Sequence, residues 1–147
     1  MPSTRVIPVK INKKVPKRER PKPGGSVRAI KESALRLVLE SAKGALPNEF
    51  GGILRAYDGV VTEVMVLPGT EQGARAALFK FYMLPADRSV VGTVHSHPSG
   101  NYWPSGADLE LFDRFGSVHI ICGYPYNMHS WQAYDSRGRA RVIEVLR

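Results

Sequence analysis

The chain has 147 residues, 43% of them hydrophobic, which suits a single folded domain with its own core. It contains no run of about 18 apolar residues and no apolar centre in its basic amino terminus, so we expect neither a membrane-spanning helix nor a secretory signal, and a cytoplasmic location. The single cysteine, Cys122, excludes an internal disulfide and a cysteine-rich metal site, and its apolar neighbours predict a small buried side chain.

The positive charge is concentrated at the amino terminus. The formal net charge is +8, and residues 1–24 carry eight Lys or Arg against one Glu, so the rest of the chain is nearly neutral and offers no basic groove. Prolines and lysines predict a flexible basic arm over residues 1–25, followed by a domain over residues 26–147. The arm either aids solubility, which we prefer, or attracts nucleic acid or an acidic partner. Residues 6–11 suit a short edge strand.

The first part of the domain predicts a helix and then a hairpin. Apolar side chains recur at intervals of three and four over residues 30–45, which is typical of a helix with one buried face. Residues 51–57 and 60–67 flank Asp58-Gly59, a pair that favours a two-residue hairpin turn because both positions accept positive φ. Further strands are predicted over residues 78–84, 90–94, 118–124, 130–135 and 140–145.

A second helix is predicted after the loop over residues 98–104, which contains two prolines and a glycine. Ser105 and Asp108 have the Ser-x-x-acid spacing of a capping box, and the apolar residues that follow supply one face of the helix. Two helices among several strands predict an α/β or α+β fold with a single mixed sheet of about six to eight strands.

The residues His95, His97 and Asp108 have the chemistry of a metal site. Alternate side chains of an extended segment share a face, so the two imidazoles can reach one ion while Ser96 points away. The loop after them can return Asp108 to the same ion. Two imidazoles and a carboxylate suit zinc, and three protein ligands with an open position for water are typical of catalytic zinc. Such an ion lowers the pKa of its bound water to about 7.

A zinc hydrolase also needs a proton-transferring group and a donor for the oxyanion. Glu49, which precedes Phe50-Gly51-Gly52, is the candidate base, although a glutamate at such a junction is often simply solvated. Ser105 is the candidate donor, a contact worth about 3 kcal/mol in the barrier. The competing interpretation is that Ser105 and Asp108 only cap the helix. His119 and His129 are interpreted as structural.

Taken together, these residues resemble the signature of the JAMM (MPN-plus) metalloprotease family, with the strings Asn48-Glu49-Phe50-Gly51-Gly52 and Gly92-Thr93-Val94-His95-Ser96-His97-Pro98-Ser99, then Ser105 and Asp108. The resemblance extends from about residue 30 to the carboxyl end and is greatest to short stand-alone archaeal members. It implies a cytidine-deaminase-like α/β fold and one Zn²⁺ held by His95, His97 and Asp108. It also implies Glu49 as general acid and base and Ser105 as oxyanion stabiliser.

The resemblance further implies a substrate class and alternatives to it. Deubiquitinase-like and desampylase-like relatives hydrolyse the bond after the terminal Gly-Gly of ubiquitin, ubiquitin-like or sulfur-carrier-like proteins, and a homodimer through the first helix would suit this fold. A non-catalytic scaffold module is the first alternative, but such relatives usually lose ligands. A nucleic-acid-associated, RadC-like member is the second, and the setting of Glu49 fits it less well.

Overall fold

The computed structural model describes residues 20–67 and 86–147, and every structural statement below refers to them. The elements, in chain order, are β1 (Ala29–Lys31), α1 (Glu32–Ala45), β2 (Gly51–Tyr57), β3 (Val60–Val66), β4 (Val90–His97), α2 (Gly106–Arg114), β5 (Val118–Gly123), β6 (Trp131–Tyr134), β7 (Ala140–Arg141) and β8 (Glu144–Leu146). The strands form one sheet in the order β7-β6-β5-β4-β2-β3-β1-β8. The predicted mixed sheet with two helices is confirmed, whereas the cytidine-deaminase-like comparison stays a prediction.

The two helices cover opposite faces of this sheet. The α1 side chains Leu35 and Val38 pack in one apolar cluster with Leu54 of β2 and Ile120 of β5. Side chains of α2 pack in a second cluster with Ile53 and Ile121, which are adjacent in sequence to Leu54 and Ile120. Because successive side chains of a strand point to opposite faces, the sheet is buried on both sides at its centre. Cys122 is fully buried in the first cluster, as predicted.

Strand β4 lies at the centre and determines where the candidate ligands are placed. It pairs antiparallel with β2 on one side and parallel with β5 on the other, so His95 lies between Gly51 and Ile121. Gly92 is required for this pairing, since a Cβ there would lie 1.5 Å from the Val118 carbonyl oxygen. The strand continues to His97, three residues beyond the predicted end at residue 94, because β5 pairs with it over this whole stretch.

The hairpin of β2 and β3 is confirmed at its turn, where Asp58 and Gly59 have φ of 50° and 76°. The last residues of the predicted arm form hydrogen bonds with this turn and with the end of β2. The Lys22 carbonyl accepts the Asp58 N–H at 2.9 Å, and the Gly24 N–H donates to the Ala56 carbonyl at 2.8 Å. The structure therefore places residues 22–24, which were assigned to a flexible arm, against the domain. The domain boundary itself stays a prediction, and the predicted strand over residues 6–11 lies outside the described residues.

Two predicted elements differ from the structure. Ile30 belongs to β1 and not to the first helix, because it pairs with Val61 of β3 and Val145 of β8, and the helix begins at Glu32. The single strand predicted over residues 140–145 is wrong, since β7 and β8 lie at opposite ends of the sheet. The strand predicted over residues 78–84 lies outside the described residues. No helix within the described ranges is long and apolar enough to cross a membrane.

Candidate metal centre

The three predicted ligands come together at one end of the sheet. His95 and His97 lie on the same face of β4, with ring centroids 5.1 Å apart. Asp108 lies in the first turn of α2, which packs over that face. One ligand atom from each of the three side chains, an imidazole nitrogen or a carboxylate oxygen, lies within 4.8 Å of the other two. Within the part of the chain that the structure describes, the strand and the helix thus form a single group of three metal-ligating side chains.

The distances within this group suit one tetrahedral ion. His95 Nε2 lies 3.0 Å from Asp108 Oδ1, and His97 Nε2 lies 3.2 Å from Asp108 Oδ2. Zinc bonds of about 2.0 Å at tetrahedral angles separate neighbouring ligand atoms by about 3.3 Å. Neither nitrogen of the buried His95 ring has a hydrogen-bond partner of good geometry among the described residues. Buried nitrogens are expected to have partners, and a metal ion would supply one for His95, so the group fits one Zn²⁺.

His97 is held in the orientation that a metal ligand needs. Its Nδ1 lies 2.8 Å from the Asn101 carbonyl oxygen, which can only accept, so Nδ1 carries the ring proton. The lone pair of the neutral ring is then on Nε2, which faces Asp108. The Asp108 carboxylate raises the pKa of His97, burial opposes this rise, and the charge of Glu49 adds to it. Sequence reasoning missed Asn101, although its place in the loop four residues after His97 was a usable signal.

Asp108 caps the helix and belongs to the ligand group as well. Its Oδ2 accepts the Ser105 N–H at 2.8 Å, while Ser105 Oγ accepts the Asp108 N–H at 3.1 Å. The predicted capping box is therefore confirmed, and its two interpretations do not exclude each other. Burial by itself raises the pKa of the Asp108 carboxyl, but His95, His97 and the Ser105 N–H outweigh it and hold that pKa well below its usual range. The side chain is a carboxylate at neutral pH.

Glu49 lies at the same end of the sheet, on the loop between α1 and β2. Phe50, the next residue, is bonded to Ser96: its N–H donates to Ser96 Oγ at 2.7 Å, and its carbonyl accepts the Ser96 N–H at 3.0 Å. The Glu49 side chain is exposed, and it lies close enough to the centre to affect the pKa of His97. The structure thus brings Glu49 and Ser105 to the ligand group, while their catalytic roles stay predictions.

An open groove lies beside Glu49, with a volume of about 560 Å³. Its walls come from the end of α1, the loop that carries Glu49 and the end of β3. Leu46 and Val66, which line it, are 39% and 45% exposed. Apolar side chains exposed beside a candidate catalytic residue are suited to contact with a protein substrate.

His119 has the structural role that the sequence predicted. It is fully buried, its Nδ1 lies 2.8 Å from Thr93 Oγ1, and its Nε2 lies 3.3 Å from the Gly116 carbonyl. Its ring stacks on Phe112 of α2, with centroids 4.3 Å apart. Burial lowers the pKa of His119 to about 4, so the ring is neutral at pH 7. The side chain links β5 to the helix that carries Asp108. His129 is exposed.

Comparison with known proteins identifies the family. The Prok-JAB family, the prokaryotic homologues of the JAB domain, matches residues 31–134. A probable metalloprotease of Haloferax volcanii is 39% identical over 127 residues, which are 80% of this chain and 78% of that protein.

Two solved structures agree with this assignment. A JAB1/MPN domain protein from Archaeoglobus fulgidus is 39% identical, with a TM-score of 0.67 over 81% of this chain and 99% of that one. A structure described as a JAMM metalloprotease-like zinc site in the proteasome and signalosome is 37% identical, with a TM-score of 0.66 over 83% of this chain and all of the other. The resemblance drawn from Glu49, His95, His97, Ser105 and Asp108 is thereby confirmed, and the chain belongs to the JAMM/MPN metalloprotease family.

Proposed function

We propose that this protein is a zinc-dependent isopeptidase and peptidase that hydrolyses the bond after the carboxyl-terminal Gly-Gly of ubiquitin or ubiquitin-like proteins. Family membership supports the metallopeptidase class. The single observation that carries the proposal is the convergence of His95, His97 and Asp108, with ligand atoms within 4.8 Å of one another, at the end of the sheet where Glu49 and Ser105 also lie.

Each of the five site residues has one role in the proposed reaction. His95, His97 and Asp108 would hold the ion, which when bound acts as a Lewis acid and makes a water acidic enough to attack a carbonyl at neutral pH. Glu49 accepts the proton of the attacking water and delivers it to the leaving amine. Ser105 donates to the oxyanion of the tetrahedral intermediate. Ser105 Oγ acts as an acceptor in the helix cap, and a hydroxyl can donate at the same time.

The proposed substrate class is the one that the family resemblance implies. Two adjacent glycines have no Cβ, so a narrow approach to the ion would admit them and reject bulkier residues. The folded body of the modifier would then supply the binding free energy through the groove beside Glu49, where Leu46 and Val66 are exposed. An extended tail and a folded body together distinguish such a substrate from an ordinary peptide.

A fluorogenic conjugate of a ubiquitin-like protein tests the proposal. The zinc-loaded protein is expected to cleave it, and Glu49→Gln is expected to abolish turnover while zinc remains bound, because Glu49 is not in the ligand group. Glu40→Gln is the matched control, since Glu40 is an exposed residue of α1 paired with Lys43. Full activity of Glu49→Gln would remove the base assignment. Cleavage of generic peptides without cleavage of any Gly-Gly conjugate would reject the substrate class.

The alternative of a non-catalytic scaffold module has its own test. It predicts that dialysed protein holds no stoichiometric zinc by elemental analysis. The complete set His95, His97 and Asp108 argues against it, because loss of a ligand is the expected mark of such a module.

A further inference from the structure

Ser96 lies between the two histidine ligands in sequence, and its side chain lies on the other face of β4. Successive side chains of a strand alternate, so Ser96 shares a face with Val94, which packs in the cluster that contains α1 side chains. His95 lies on the opposite face, beside Phe112 of α2. The Ser96 side chain is fully buried. It is therefore at the centre of the ligand segment and is not part of the ligand group.

The Ser96 hydroxyl provides one bond of the ladder between β2 and β4. The pairing places Gly51 opposite His95, so Phe50 comes opposite Ser96. Residues of a hydrogen-bonded antiparallel pair normally exchange both of their backbone bonds. Here the Ser96 N–H donates to the Phe50 carbonyl at 3.0 Å, but the Phe50 N–H donates to Ser96 Oγ at 2.7 Å. The side chain thus supplies a bond that a regular ladder takes from the backbone.

Glu49 is held in place through its two neighbours. On one side Phe50 is bonded to Ser96, and its own side chain is buried in the cluster that α1 packs into. On the other side the Asn48 N–H donates to the Ala45 carbonyl, at the end of α1, at 2.8 Å. The Glu49 side chain itself is exposed. Its backbone position relative to β4 therefore depends on the bonds of Phe50.

We propose that Ser96 is a positioning residue for Glu49. Its hydroxyl accepts the Phe50 N–H and thereby fixes the backbone of Glu49 relative to the two imidazoles. Continuing the register of β2 and β4 by one residue brings Glu49 opposite His97, so a shift of Phe50 would move the carboxylate relative to the ligand group. Misplacement by about 1 Å can cost about a hundredfold in rate. This inference rests on the proposed function, because it assigns to Glu49 the proton transfer described above.

Ser96→Ala removes the hydroxyl and keeps the backbone bond from residue 96 to Phe50. We expect kcat of the zinc-loaded enzyme to fall about tenfold, with KM and zinc content unchanged, because the base is displaced while the ligands and the groove are not. In zinc-free protein we expect the Phe50 amide to exchange with solvent about tenfold faster, because its acceptor is lost. A purely structural role would lower the urea midpoint and leave kcat unchanged. Loss of zinc would show that Ser96 supports the ligands instead, and would overturn the inference.

Ser96→Thr retains a hydroxyl and is expected to restore both kcat and the protection of the Phe50 amide. Ser89→Ala is the matched control, because Ser89 is a buried serine just before the other end of β4, where its hydroxyl donates to Asp87 at 2.6 Å. This control is expected to keep the wild-type kcat and Phe50 exchange.

Across wild type, Ser96→Ala and Ser96→Thr, kcat and Phe50 protection are expected to change together. A protein in which one changes without the other overturns the inference, as does an alanine variant that equals the wild type in either. Should Ser96→Thr fail to fold, the alanine variant decides. Should Ser96→Ala fail as well, exchange in the zinc-free wild type decides: a protected Phe50 amide supports the inference, and a rapidly exchanging one overturns it.

These readouts separate the inference from the proposed function. If the wild type cleaves no Gly-Gly conjugate, the proposed function fails, and amide exchange in the zinc-free protein still shows whether Ser96 anchors the loop that carries Glu49. If the wild type is active and Ser96→Ala equals it in kcat, the positioning role alone fails.

Discussion

His119 is expected to make the stability of the domain depend on pH. The ring is fully buried between β4 and α2, and burial lowers its pKa from 6.5 to about 4. In the unfolded chain a histidine titrates near its ordinary pKa of about 6.5. Between these two pKa values the unfolded state binds a proton that the folded state does not bind. The stabilisation is therefore fully present above a pH of about 6.5 and is lost as the pH falls toward 4.

The size of the effect follows from the pKa difference. A pKa difference of about 2.5, at about 1.4 kcal/mol per pKa unit, corresponds to about 3 to 4 kcal/mol over the whole range. His119→Gln removes this titration. Its amide can still accept from the Thr93 hydroxyl and donate to the Gly116 carbonyl, which are the two contacts of the imidazole. At pH 4.5 the wild type is expected to have lost about 2 kcal/mol more than the variant, relative to pH 7.

Urea unfolding of the zinc-free protein at pH 7 and pH 4.5 measures this difference. Comparing wild type with variant at each pH cancels the contributions of His97, Asp108 and the other groups that both chains share. His129→Gln is the matched control, because that exposed side chain contacts solvent in both states. Parallel pH dependences of wild type and His119→Gln would refute the reasoning from burial.

Three further predictions concern the site and its support. Ser105→Ala is expected to cost about 1 kcal/mol in urea unfolding as a lost cap, and about a hundredfold in kcat as a lost oxyanion donor, with Ser105→Thr restoring both; a loss of stability alone would show that the residue only caps. Gly92→Ala is expected to yield insoluble protein, since its Cβ would lie 1.5 Å from the Val118 carbonyl oxygen, whereas Gly44→Ala, with nothing within 4 Å, is expected to express as wild type. Asp108→Asn is expected to lose stoichiometric zinc by elemental analysis while the zinc-free protein still unfolds cooperatively, at a lower urea midpoint, because the amide oxygen can accept the Ser105 N–H but the charge that faces His95 and His97 is lost; retained zinc would contradict the ligand assignment.

The parts of the fold that the sequence predicted correctly depend on local patterns. Asp58-Gly59 marks its turn by the φ values that both residues accept, and Ser105 with Asp108 marks the start of α2 by reciprocal capping. The short outer strands depend instead on pairing between distant segments. Ile30 continues the apolar spacing of α1 and yet pairs in β1, because its partners come from β3 and β8. Periodicity cannot distinguish these two outcomes.

The same distinction applies to the candidate site. His95 and His97 share a face because they are one residue apart on a strand, and that can be read from the sequence. The two hydrogen bonds between Phe50 and Ser96 depend on how the start of β2 is aligned with β4. No spacing in the sequence encodes that alignment, so the contact of Ser96 with the loop that carries Glu49 was missed.

The shared role of Asp108 has a consequence for how the protein acquires its metal. Its carboxylate is already immobilised by the helix start, and both imidazoles project from a central strand. Capture of an ion therefore orders few additional torsions, and the entropic cost of assembling the ligands is met when the chain folds. A sample stripped by a chelator should regain its ion quickly and without refolding, and loading should depend mainly on how readily the ligand atoms shed protons.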